Sequence, residues 1–83
     1  MSNEFQKTFG QKIKDMRIKK GLTQEQLHFE SSVSRSHIGM IENAQRDISL
    51  SAVFKLSRAL EVDFPSLFDF DDLEKYKYSA DDI

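Results

Sequence analysis

The stretch GLTQEQLHFESSVSRSHIGMIEN, from Gly21 to Asn43, holds the residues whose chemistry is easiest to read. Ser34, Arg35 and Ser36 stand at the start of a short amphipathic segment, where side chains point outward. Two hydroxyls around a five-donor guanidinium offer hydrogen bonds and a positive charge to a polyanion. They do not make a reactive site. His28 and His37 are separated in sequence, the chain has no cysteine, and no carboxylates converge on them, which argues against a metal site. No strand-borne nucleophile turn frames any serine, so a Ser–His–Asp arrangement has no support. Recognition without a cofactor is the chemistry expected, and enzyme activity is not.

These residues need a frame, and the spacing of apolar side chains supplies one. Phe5, Phe9, Ile13, Met16 and Arg17 recur at helical intervals, with Lys7, Lys12, Lys14 and Lys19 mostly off that side. Gly21 stops this first helix after two lysines that suit the negative end of its dipole. Thr23 followed by Gln26 is a capping box opening a second helix from about Gln24 to Glu30. Ser34 caps a third, running to about Glu42 with Ile38 and Ile41 inward. NAQRD makes a polar loop. Ser49 caps a fourth helix carrying Leu50, Val53, Leu56, Ala59 and Leu60. Asp63 caps a short fifth, with Pro65 in its first turn and Leu67 and Phe68 as anchors. No segment alternates with period two, so no sheet is expected.

With 83 residues, the chain makes one domain with a small core. Absence of cysteine excludes disulfides and thiolate zinc sites, and it fits a cytoplasmic home. Met1 to Phe9 lacks the pattern of a signal peptide, and no apolar run approaches the roughly 18 residues of a membrane span. A soluble protein with no membrane association is expected. Charge is distributed unevenly. Residues 1–60 hold ten Lys and Arg against six Asp and Glu, and residues 61–83 hold two against eight, so +4 and −6 give the net −2. The basic part permits a nucleic-acid face. The division expected is a compact domain over residues 1–70 and an acidic tail over 71–83, whose composition favours solvation.

FGQKIKDMRIKKGLTQEQL, followed by VSRSHIGMIENAQRDISLSAVFKLSRALEVDFPSLF, resembles the helix-turn-helix domain of phage repressors and Cro-like (XRE-type) regulators. The likeness covers about residues 9–68 and rests on GLTQ, on the VSRS and IE of the third helix, and on the SL, V, KLS and AL of the fourth, all in register. It implies an all-α, lambda-repressor-like fold, a compact five-helix bundle. One helix of the motif crosses the DNA backbone while the next enters the major groove. The apolar contact between them falls to Leu27, Val33, Ile38 and Ile41.

By that resemblance, Ser34, Arg35, Ser36 and Met40 reach base edges. Arg35 can donate twice to guanine O6 and N7, and Met40 can touch a thymine methyl. Gln24 takes the place of a phosphate-binding glutamine at a helix start, joined by Thr23 beside it, and by His37, Asn43 and Arg46. Arg17 and Glu42 fall where some members hold a buried ion pair. The sequence departs from the family's habit at His28, where alanine is usual, and at Ser32 and Glu61, where glycine is favoured.

The function implied is sequence-specific binding of double-stranded DNA by a homodimer on a (pseudo)palindromic operator. One small module makes few base contacts, and two half-sites about 34 Å apart double them. Phe64, Phe68 and Phe70, with the end of the fourth helix, are the expected dimer interface; the alternative for Phe68 is that it completes the monomer's own core. The acidic tail would face away from DNA, where its expected role is to contact RNA polymerase or to repel nonspecific DNA. ENAQRDISLS and LEV look more like the controller proteins of restriction–modification systems than like phage repressors or antitoxins. The rival reading is a protein-interaction module of the same fold, of antitoxin or anti-repressor type, that docks a protein partner.

Overall fold

A computed structural model describes residues 4–69. Phe70 and the acidic segment 71–83 lie outside the described residues. Four α-helices follow in order: α1 (Glu4–Lys19), α2 (Gln24–Ser31), α3 (Arg35–Glu42) and α4 (Leu50–Ala59). The expected fifth helix is a 3-10 turn over Phe64–Phe68. Pro65 has no N–H to give, and the segment closes on short-range bonds from Ser66 N–H to the Asp63 carbonyl and from Asp69 N–H to the Ser66 carbonyl. Five residues are too few to nucleate an α-helix against that constraint. Asp63 occupies the capping position, yet its side chain makes no capping bond.

The remaining caps follow from local chemistry. Thr23 Oγ1 accepts from Gln26 N–H at 3.0 Å, and Gln26 Oε1 accepts from Thr23 N–H at 2.8 Å. Ser34 Oγ accepts from His37 N–H, and Ser49 Oγ from Ala52 N–H. Each side chain satisfies a backbone donor that the helix leaves open. At the other ends, α1, α3 and α4 finish alike, with paired backbone bonds around a left-handed residue. That residue is Gly21, Ala44 or Glu61 in turn, at φ 79°, 55° and 58°. Only glycine takes this conformation without cost, so Ala44 and Glu61 are held by the surrounding fold.

Helix α1 packs on α3, α2 packs on α3 and α4, and the 3-10 turn closes the bundle against α4 and α1. Ile13, Leu27, Ile38, Leu56 and Leu67 are fully buried at the centre. Phe68 is half-buried and stacks on the buried Phe9 at 5.4 Å between ring centres, with Phe64 tilted against it at 5.7 Å. Phe64 and Phe68, two of the three aromatics expected at a dimer interface, therefore spend much of their surface on the monomer's own core. The large apolar side chains left exposed on α4 are Leu50 and Phe54, one turn apart at its start. Among the described residues, no helix is long and apolar enough to cross a membrane.

Glycine at position 10 sets how closely α1 meets α3. A Cβ there would lie 2.3 Å from the Ile41 carbonyl oxygen and 3.0 Å from that of Glu42. The last turn of α3 thus rests directly on the backbone of α1, and its angle is fixed by that contact.

Candidate nucleic-acid interface

Helices α2 and α3 are joined by only Ser32, Val33 and Ser34. Ser32 is left-handed, with φ 64°, and its N–H returns to the His28 carbonyl. Val33 turns inward to the core, and its N–H donates to the buried Ser31 Oγ at 3.1 Å. His28 completes the turn: its half-buried ring donates from Nδ1 to the Val33 carbonyl at 2.8 Å. The bulky residue in place of the usual alanine thus braces the turn, and Leu27, Ile38 and Ile41 remain buried around it. Three consecutive local bonds leave this connection little freedom.

That brace aims one face of α3 at solvent. Ser36, Met40 and Asn43 follow one another at helical steps of four and three, with Arg35 beside them, and all are exposed. Nothing in the described chain covers this tip. Arg35 Nε lies 3.8 Å from Glu25 Oε1 on the first turn of α2, both groups well exposed. Such a pair is worth little and exchanges readily for another partner. Ser34 is also exposed, but its hydroxyl oxygen is engaged as the cap of α3, which leaves its proton as a donor.

Gln24 begins α2 and is held from behind. Its Nε2 donates to Glu42 Oε1 at 3.1 Å. The same carboxylate receives Arg17 Nε at 2.7 Å on Oε2 and Arg17 Nη2 at 3.1 Å on Oε1. Arg17 Nη1 adds a bond to the Leu22 carbonyl at 2.8 Å. The Glu42 side chain is 2% exposed and that of Arg17 is 11% exposed, so this is a buried, two-pronged ion pair whose lone pairs are well used. Thr23, next to Gln24, is exposed and committed to its capping box as acceptor.

Beyond α3, Asn43 Nδ2 donates to the Gly39 carbonyl of its own helix at 3.0 Å, and Arg46 is exposed in the following loop. His37 sits differently from its neighbours. It is half-buried, and its Nε2 is buried without a hydrogen-bond partner. With Ser34, Ser49, Ser51 and Lys55 it lines a cleft of about 160 Å³ between the starts of α3 and α4. Gln24, Arg35, Ser36, Met40, Asn43 and Arg46 all belong to the α2–α3 unit or the loop leaving it. Phe64 and Phe68 belong to the bundle's base. Sequence reasoning missed Glu25, Lys55 and the Gln24–Glu42 bond, because each depends on how helices lie against one another and leaves no local signature.

The helix-turn-helix family pattern matches residues 13–67. The chain is 39% identical over 71 residues to control protein C.BamHI of Bacillus amyloliquefaciens, covering 84% of this chain and 88% of that one. It superposes on the crystal structure of the restriction–modification controller protein C.AhdI from Aeromonas hydrophila with a TM-score of 0.73 and 42% identity, over 75% of this chain and 94% of that one. The wild-type restriction–modification controller protein C.Esp1396I gives a TM-score of 0.75 at 28% identity, over 81% of this chain and 87% of the other.

Proposed function

The chain belongs to the helix-turn-helix family of DNA-binding regulators, among the control proteins, and on that footing we propose that it binds an operator as a homodimer and governs transcription in a restriction–modification system. Family membership makes it a regulator and not an enzyme. The observation that carries the proposal is the uncovered tip of α3, with Arg35, Ser36 and Met40 exposed on a helix held by α1 and α2. In this reading α3 lies in the major groove. Arg35 leaves Glu25 to donate to a guanine edge, Ser36 takes a neighbouring base, and Met40 meets a thymine methyl.

Gln24, Asn43 and Arg46 flank that tip and take phosphates, which set the register while the bases set the sequence. Thr23 adds its free hydroxyl proton to the phosphates, Ser34 offers its own toward a base edge, and His37 reaches the backbone by turning its buried Nε2 out of the cleft. A second copy supplies the other half-site. Leu50 and Phe54, exposed together on α4, are the apolar surface proposed for it, since covering two such side chains favours association.

Mobility shifts over a range of salt test the proposal. Affinity for duplex DNA should fall steeply with ionic strength, because basic side chains displace counterions from the phosphates. Gln24→Ala should weaken binding to all sequences alike. A chain that ignores DNA at low salt yet captures a protein through the α3 face would be an interaction module instead.

A further inference from the structure

The family's buried ion pair is ordinarily a matter of stability, but here its carboxylate does something more. Glu42 Oε1 accepts from Gln24 Nε2 as well as from Arg17 Nη2, so one carboxylate joins α1, α2 and α3. The Gln24 carboxamide lies across the α3 backbone at Gly39, where a Cβ would stand 3.9 Å from both its Nε2 and its Oε1. A carboxamide can be turned either way, with its oxygen and nitrogen exchanged. A carboxylate can only accept. The acceptor therefore selects the orientation: Nε2 faces Glu42, and its second proton remains for another partner.

We propose that Glu42 is a positioning residue for the phosphate contact of Gln24, fixing its carboxamide with the donor nitrogen in place before DNA arrives. The proposal rests on the reading of Gln24 as a phosphate ligand. A glutamine free to turn would present its oxygen to the phosphate part of the time, and two acceptors repel. Ordering the side chain in advance removes a cost that binding otherwise bears. Arg17 has its own part, since its guanidinium neutralises the carboxylate and so keeps a buried negative charge from standing beside an approaching phosphate.

Replacing Glu42 by Gln weakens that selection. Arg17 Nε and Nη2 each use one carboxylate oxygen, and the amide has only one oxygen to give. With that oxygen on Nη2 it still accepts from Gln24; with it on Nε, the new NH2 faces Gln24, which must turn its own oxygen inward or lose the bond.

The test is a double-mutant cycle of Gln24→Ala and Glu42→Gln, read as affinity for a duplex recovered from a random pool by the wild-type chain, and for an unselected random duplex. Thermal melts confirm that each variant is folded at the assay temperature. Gln24→Ala should weaken binding to both duplexes about tenfold, the equivalent of one charge-assisted hydrogen bond. Glu42→Gln should weaken it by a smaller factor, and the double variant should be no weaker than Gln24→Ala alone. A pair replacement, Arg17→Met with Glu42→Met, runs beside them, because apolar residues of similar volume often keep or raise stability at such sites. It should be folded and should bind as Gln24→Ala does. Losses that multiply in the double variant, or a folded Met pair that binds like wild type, would overturn the positioning role while leaving Gln24 as a phosphate ligand. A Gln24→Ala variant that binds like wild type removes the phosphate contact itself, and the positioning role with it.

Discussion

Arg35 shows how a single residue can be ready for DNA without being committed to the free fold. Its only charged neighbour in the described structure is Glu25, at 3.8 Å and well exposed. An exposed pair of this kind contributes about 0.2–1 kcal/mol, less than a bidentate contact to guanine. Glu25→Gln should therefore leave DNA affinity unchanged or raise it a few-fold, as measured by fluorescence anisotropy; a large loss would mean that Glu25 holds Arg35 in its working position. Ser32 carries a cost of another sort. Its left-handed backbone, φ 64°, is strained by about 1–2 kcal/mol, partly offset by the greater unfolded-state freedom of glycine. Ser32→Gly should raise thermal stability by up to about 1 kcal/mol net, and a lowered melting point would show that the Ser32 side chain stabilises the turn.

Helices and their ends are the level at which the sequence spoke most clearly. Thr23, Ser34 and Ser49 could be placed as caps because a cap and its target lie within three residues, and Gly21 as a stop for the same reason. The order and register of α1 to α4 followed. What could not be read depends on residues far apart in the chain. Nothing around Gly10 signals that its missing Cβ admits the carbonyl of Ile41. Nothing around Phe68 says that it stacks on Phe9, so the sequence left it open between an interface and the monomer's own core. Ala44 ends α3 where glycine would be expected, and no local rule foresees it. The 3-10 turn was misread as a helix because its apolar anchors suit both geometries and Pro65 suits both starts.

Two outcomes follow at this scale. Gly10→Ala forces a methyl against the backbone of α3, which should destabilise the domain by about 1–3 kcal/mol and tilt the recognition helix, seen as chemical-shift changes through α3 in spectra of the folded variant. Shifts confined to α1 would contradict the account. Lys20 bonds to Glu61 across the junction of α1 with the turn after α4. That bond and the lysine's charge hold the Glu61 carboxyl below its ordinary pKa. A lowered folded value means a small stabilisation present above the ordinary carboxylate range and lost as pH falls through the folded pKa. Glu61→Gln should therefore lower the melting temperature slightly at neutral pH and not at all in acid below that range; an equal difference at both would assign the effect to the backbone at Glu61.

At the scale of the whole molecule, the groups read as DNA contacts and the exposed apolar pair of α4 lie on different elements. Arg35 and Arg46 lie on the α3 side with Gln24, whereas Leu50 and Phe54 expose the apolar surface of α4. A homodimer joined through α4 would carry two recognition helices, one per half-site. Phe54→Glu should make the protein monomeric in sedimentation equilibrium with its fold intact, and DNA binding should then weaken and lose its concentration-dependent cooperativity. A variant that remains dimeric would move the interface elsewhere, with Phe64 and Phe68 the next surface to test.

The central claim is that the outward tip of α3 reads bases in the major groove. Selection of bound duplexes from a random pool, run in parallel with the wild-type chain and with Arg35→Ala, tests it most directly. The account predicts that wild type enriches a two-fold related sequence with half-sites about one helical turn, or a multiple of it, apart. Arg35→Ala should lose about 1–3 kcal/mol on that sequence and accept any base at one position in each half. Identical enrichment by both proteins, or none by wild type under conditions where it binds DNA, would contradict it.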